Sequence, residues 1–241
     1  MPLITSNSGA FSENIRTIST TASLTTVDDV VLCNAGGGAF TVTFPAASTS
    51  TNKVITIKKT DGTFNAITLT GTGMTTNYLM TSAETVTWVS DGSVWNQLQR
   101  QTNNAWTAYT PTVTGTTAAL QGFYWRRVGN CIEISGTFGT SSATGSAVSI
   151  TIPNSGTWTI DSGQVATTNS TQRVGVYTNL GVAPGATQAM FLDLGTSTSI
   201  IYFAETVSSS LFTKGAGTSI TTNGARINVA CYSIPITNFS S

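Results

Sequence analysis

Apolar and polar residues in this chain alternate over short runs that stop at two-residue turn signals, and helical periodicity is nearly absent. A period of two sends successive side chains to opposite faces of a strand, so the pattern describes half-buried β-strands joined by tight turns. Three hairpins can be written out residue by residue. Val54–Thr60 runs into Asp61-Gly62 and returns as Thr63–Leu69, and Asp-Gly suits a type I′ turn because both central positions need positive φ. Thr85–Ser90 meets Asp91-Gly92 and returns as Ser93–Leu98, a register that sets Trp88 opposite Trp95. Such an indole pair would add about 0.5–1 kcal/mol beyond burial. Phe123–Val128 turns at Gly129-Asn130 into Cys131–Phe138, with Trp125 opposite Ile134 and Arg126 opposite Glu133. The opposite-charge pair falls into place without adjustment, which supports that register.

Composition narrows what these strands can face. Only 8% of residues are charged, the formal net charge is zero, and 39% are hydrophobic. An average protein carries about 25% charged residues. The polar surface is therefore built from Ser, Thr, Asn and Gly, and Thr in particular suits a pleated, solvent-facing strand. A neutral surface does little to keep copies apart, which favours self-association. The ten Lys and Arg form no basic stripe, so nucleic acid is not an expected partner. No apolar run approaches the roughly 20 residues of a membrane helix. Met1–Ser6 has neither a basic nor an apolar signal region, so synthesis in the cytoplasm is expected. Cys33, Cys131 and Cys231 are far apart and sit beside apolar neighbours, as small core residues do.

Three segments follow. Residues 1–20 are turn-rich with scattered apolar positions and read as a docking arm. Residues 21–104 form a small β-module that ends in the polar stretch Gln97–Ala105. Residues 105–241 open with Trp106–Thr114, an edge strand tolerant of Pro111. They continue with strand candidates at Ala147–Ile152, Gln172–Tyr177, Gln188–Leu194, Ile200–Glu205 and Ala225–Ile236. Regular spacing of this kind predicts an antiparallel β-sandwich of the jelly-roll sort.

Chemistry is scarce. The chain has no histidine, which removes the usual base of Ser or Cys nucleophiles and the commonest metal ligand. No phosphate-binding loop or dinucleotide fingerprint occurs, and Gly36-Gly37-Gly38 has no following helix or Lys-Ser/Thr and reads as a turn. Two carboxylates suffice for glycoside hydrolysis, yet the acidic residues stand alone apart from Asp28-Asp29, which read as turn residues. No catalytic residue, metal or cofactor is expected, and the chain is read as non-enzymatic. Lys53, Lys58 and Lys59 read as guards of a strand edge, with an acidic partner as the alternative. One binding residue stands out. Trp158, following Pro153-Asn154, is a candidate glycan platform, the competing assignment being a loop anchor packed on its own sheet.

Two stretches carry a resemblance. Thr85–Trp95, with Ser90-Asp91-Gly92 shortly before Trp95, resembles the closing hairpin of a small β-module in phage fibres. The series Trp106, Tyr109 and Pro111, then Trp125–Gly129, then Ile150–Pro153, then Ser233–Phe239 is similar to a carboxy-terminal domain of tailed-bacteriophage virion proteins. The resemblance implies a virion structural protein and a homotrimer. On that basis the chain is expected to be a capsid-decorating or head-fibre subunit, or a short tail appendage, docked to other virion proteins through its arm. A tail-fibre tip that binds host-surface glycan is the alternative, and a glycan-degrading spike a third. The chain has no long fibrous repeat, so any projection from the particle is stubby.

Overall fold

The computed structural model describes residues 13–165, 171–181, 187–207 and 212–239. The fold is mostly β, and the chain separates into two units after Gln101. Of the residues read as a docking arm, 1–12 lie outside the described residues, and among the remaining eight Ile15–Ile18 form β1, a strand of the first unit.

In the first unit the chain passes back and forth between two sheets. One sheet receives β1, β3 (Val30–Cys33) and β5 (Val54–Lys59), which lie parallel, Val30 beside Ile15 and Thr56 beside Val30. The other receives β2 (Ala22–Ser23), β4 (Phe40–Phe44) and β6 (Ile67–Gly71), also parallel. Each pass adds one strand to each sheet, so the unit is a short two-faced coil. Antiparallel strands then close its end: β7 (Asn77–Leu79) pairs with β6, β8 (Thr85–Ser90) with β5, and β9 (Trp95–Gln101) with β8. Each buried strand turns alternate residues inward. Val31 and Cys33, Val42 and Phe44, Ile55 and Ile57, Ile67 and Leu69 together fill the space between the sheets.

This arrangement overturns the first hairpin. Val54–Lys59 and Ile67–Gly71 belong to different sheets. Neither Asp61 nor Gly62 takes positive φ, so no type I′ turn exists there. The Asp61 carboxylate is instead occupied by Lys59 Nζ at 2.5 Å, by the Ala35 N–H at 2.6 Å and by Thr63. Those bonds steer the chain around a corner into the second sheet. The second hairpin exists with a different register: Ser90 faces Trp95 and Trp88 faces Gln97. Its loop has four residues because Asp91 accepts the N–H groups of both Ser93 and Val94 at 2.8 Å. Trp88 and Trp95 therefore meet across Phe44, at 6.4 and 5.1 Å, and not each other. Gln97–Gln101, expected as linker, belongs to the edge strand β9.

The second unit contains β10 (Thr107–Tyr109), β11 (Val113–Thr114), β12 (Thr116–Val128), β13 (Cys131–Ala143) and β14 (Ser149–Thr151). After these come β15 (Thr171–Asn179), β16 (Thr187–Asp193), β17 (Ile200–Val207), β18 (Phe212–Lys214), the single turn α1 (Gly217–Ile220) and β19 (Arg226–Pro235). The candidate strands from Ala147 onward are present, whereas Trp106–Thr114, expected as one edge strand, is split into β10 and β11 at opposite ends of the sheet. The third hairpin has the expected register, Trp125 to Ile134 and Arg126 to Glu133. Only Gly129 of its two loop residues has positive φ, +61°, the pattern of a type II′ turn.

Where the sequence suggests a sandwich of separate sheets, the hydrogen-bond ladder is continuous. One ten-stranded antiparallel sheet runs β10-β12-β13-β19-β15-β16-β17-β14-β11, with β18 beside β17. The sheet curls. Phe138 of β13 and Phe203 of β17 have three strands between them along the ladder, a separation of about 19 Å if the sheet were flat. Their rings are 6.1 Å apart. Bulges in the β12–β13, β13–β19 and β15–β16 ladders bend the strands without breaking the pairing. Gly115 joins β11 to β12, strands near opposite ends of the row, and takes φ +76° where a Cβ would meet Ala147 O at 2.7 Å.

Candidate functional site

Some of the residues that carry the resemblance, Trp125, Arg127, Gly129, Ile236 and Phe239, are far apart in sequence and gather near the β12–β13 turn. Arg127 is fully buried, lies 4.3 Å from the Phe239 ring centre and donates from Nε to Gly129 O at 2.7 Å. The Ile236 N–H donates to Asn130 O, tying the terminal segment to the same turn. A buried guanidinium over an aromatic face gains from the ring quadrupole in a place where water cannot compete. Trp158 completes the cluster. Its ring packs edge-on between Trp125 and Phe239, 5.0 Å from each, and it is 1% exposed. The candidate sugar platform is thus a core residue that anchors its loop, and it offers no face to a ligand.

The aromatic rings open to solvent lie elsewhere, on the outer face of the same strands. In β12 alternation sends Phe123, Trp125 and Arg127 inward and Tyr124 and Arg126 outward. Thr107 faces Trp125, which sets Trp106 beside Arg126, and the guanidinium lies 4.8 Å from the Trp106 ring centre. Arg126 in turn binds Glu133 Oε2 through Nε at 2.7 Å and Nη2 at 2.6 Å. The irregularity of the β13–β19 ladder leaves Glu133 opposite Tyr232 and Ser233. One row across four strands is therefore Trp106, Arg126, Glu133, Tyr232, about 14 Å from end to end at the usual strand spacing. The neighbouring row places Tyr124 beside Ser135. Trp106, Tyr124 and Tyr232 are 45, 50 and 48% exposed. A shallow groove is lined by Trp106, Tyr124 and Ser135, and a second, lined by Ala108, Thr110 and Gln121 among others, also borders Tyr124.

The carboxylates serve the backbone and nearby cations. Asp28 accepts from Thr25 N and Oγ1 and pairs with Arg16, while its neighbour Asp29 accepts from Asn14 N and pairs with Lys53. Glu84 is fully buried, accepts the N–H groups of Met80 and Thr81, and pairs with Arg100. The N–H groups of Val94 and Ser93 hold Asp91 below the ordinary carboxylate range. Burial pushes Asp61 up, and the bonds from Lys59, Thr63 and Ala35 outweigh it, so its pKa falls to about 2. The lysines do not guard a strand edge. Lys59 is wholly buried on Asp61, Lys53, just before β5, is paired with Asp29, Lys58 is exposed, and β5 is interior to its sheet. Among the described residues no group of three or more Cys, Asp or Glu could hold a metal, and no helix is long and apolar enough to cross a membrane.

Sequence reasoning missed the outer aromatic row although the signal was present. Once Arg126 faces Glu133 outward, Tyr124 must point the same way by alternation, and only Trp106 required knowledge of the β10–β12 pairing. No protein-family model matches the chain, and no curated protein sequence matches it.

Proposed function

We propose that this chain is a non-enzymatic bacteriophage virion protein, a multimeric capsid-decorating, head-fibre or short tail-appendage subunit that acts by assembly and surface binding. The observation that carries this reading is the gathering of buried Trp125, Arg127, Ile236 and Phe239 beneath the Gly129-Asn130 turn, with Trp158 between Trp125 and Phe239. Those first four are residues through which the sequence resembles phage virion proteins, and they form a structural lock. The engagement of Asp28, Asp29, Asp61, Glu84 and Asp91 by backbone and cations supports a role without catalysis, which disfavours a glycan-degrading spike. The curled C-terminal sheet suits a compact, stubby projection. The partners are further copies, as a homotrimer, and a capsid or tail protein engaged through the N-terminal segment.

A host-glycan-binding tip is the second reading, favoured by the solvent-facing Trp106, Tyr124 and Tyr232. Quantitative mass spectrometry of gradient-purified particles tests the first. The chain is expected at a fixed ratio to the major capsid protein after a high-salt wash, with a high ratio for a head decoration and a low one for a tail appendage. A chain confined to the unassembled fraction would refute the virion assignment.

A further inference from the structure

We infer that the outer face of β10, β12, β13 and β19 is a carbohydrate-binding surface, read by Trp106, Tyr124, Arg126, Glu133, Ser135 and Tyr232. This deepens the surface-binding part of the proposed function and rests on it for its biological setting. The chemistry of the face is mixed in a particular way. Three aromatic rings are about half exposed, and between them stands an ion pair that is itself partly exposed, 37% at Arg126 and 26% at Glu133. Glu133 Oε1 and the hydroxyls of Tyr124, Ser135 and Tyr232 have no hydrogen-bond partner among the described residues. Arg126 spends Nε and Nη2 on one carboxylate oxygen and keeps further donors for a ligand.

A pyranose ring presents the complementary pattern, an apolar C–H face bordered by hydroxyls that both donate and accept. Its apolar face would lie on Trp106 or Tyr124, and its hydroxyls would bridge Glu133 and the outer guanidinium donors, where charge-assisted bonds are the strong ones. Stacking Arg126 on Trp106 and clamping it to Glu133 fixes both groups before a ligand arrives, which lowers the ordering cost of binding. A dry protein contact fits less well. It would strip water from the Arg126–Glu133 pair, whose desolvation rivals its Coulombic gain, and would leave the unpaired hydroxyls to find partners on a second surface. A row about 14 Å long at strand spacing accommodates two to three consecutive sugar units.

The test uses the purified full-length chain and four soluble probes: maltotetraose, mannotetraose, chitotetraose and a β-galactotetraose. Binding is followed by tryptophan fluorescence and by saturation-transfer NMR of the sugar protons. At least one probe is expected to bind, and Trp106→Ala and Tyr124→Ser are each expected to weaken it by about tenfold or more. Both variants alter exposed side chains and should keep the parental melting temperature and sedimentation coefficient. Absence of binding by all four probes, or binding that both variants leave unchanged, would overturn the inference. A drop to a smaller sedimenting species in the variants would also overturn it, because the face would then be a contact between copies. Particle incorporation, assayed separately, keeps the two readings apart. A chain that sits on particles and binds no sugar sinks this inference alone, and one that binds sugar yet is absent from particles sinks the virion assignment alone.

Discussion

The two units draw on the same sequence vocabulary and spend it on opposite strand orders. Both are written in short threonine-rich alternating runs with Gly-containing turns. In the C-terminal unit the Gly129-Asn130 signal reverses the chain on itself, and antiparallel pairing follows throughout. In the N-terminal unit the Asp61-Gly62 signal turns a corner, and strands β1, β3 and β5 stack parallel with those from other passes. The difference lies in what the turn side chains bind. Gly129 has no side chain and takes φ +61°, so the flanking strands can meet. Asp61 has a carboxylate that Lys59 and the Ala35 N–H claim from outside the turn. A two-residue turn motif is therefore a statement about backbone preference only, and a buried cation nearby overrides it.

The contrast extends to the ion pairs. Lys59–Asp61 is buried, whereas Arg126–Glu133 lies on the surface. Removing one partner of a buried pair leaves a charge in a low-dielectric site and costs about 3–5 kcal/mol. Asp61→Ala is accordingly expected to lower the unfolding free energy measured in urea by that much, and an unchanged midpoint would mean that the corner is held by something else. Trp158→Ala should be comparably severe in the C-terminal unit, about 3–5 kcal/mol for loss of a core aromatic. A solvent-facing sugar platform at that position would leave stability unchanged, so the same denaturation curve separates the two assignments of Trp158.

Acid should reach the N-terminal corner in a defined window. Asp61 has its pKa depressed from 3.8 to about 2 in the folded chain. Its contribution is therefore present above the unfolded value and fades as pH falls from about 4 through about 2. Unfolding curves recorded across that range should show the loss in the parent and a shallower one in Asp61→Asn. The smallest effect belongs to the surface pair: Glu133→Ala should cost no more than about 1 kcal/mol and should lose even that at high salt. A larger loss would show that the outer row supports the fold as well as facing solvent.

Much of the C-terminal unit was legible because its strands are local. The β12–β13 register followed from Arg126 and Glu133 alone, and β14 to β17 and β19 lie where alternation places them. The curl was not legible, since it depends on bulges such as that between Ile132 and Ile134, which no two-residue signal marks. The parallel coil was hidden for a different reason. Its signature is a repeat of inward pairs, Val31 and Cys33 answered by Ile57 and Lys59, Val42 and Phe44 by Leu69 and Gly71, and such a repeat has to be sought over whole passes. A search for adjacent hairpins sees only the alternation within each strand. At the candidate site, Trp158 drew attention because it follows a turn, yet a tryptophan between Trp125 and Phe239 is positioned by residues distant in sequence.

Immunogold electron microscopy of purified particles addresses the functional account most directly. Antibody raised against the whole chain should decorate intact virions at repeated, fixed positions on the head or the tail. Particles that carry no gold, while the chain is abundant in the same lysate as a free species, would contradict it.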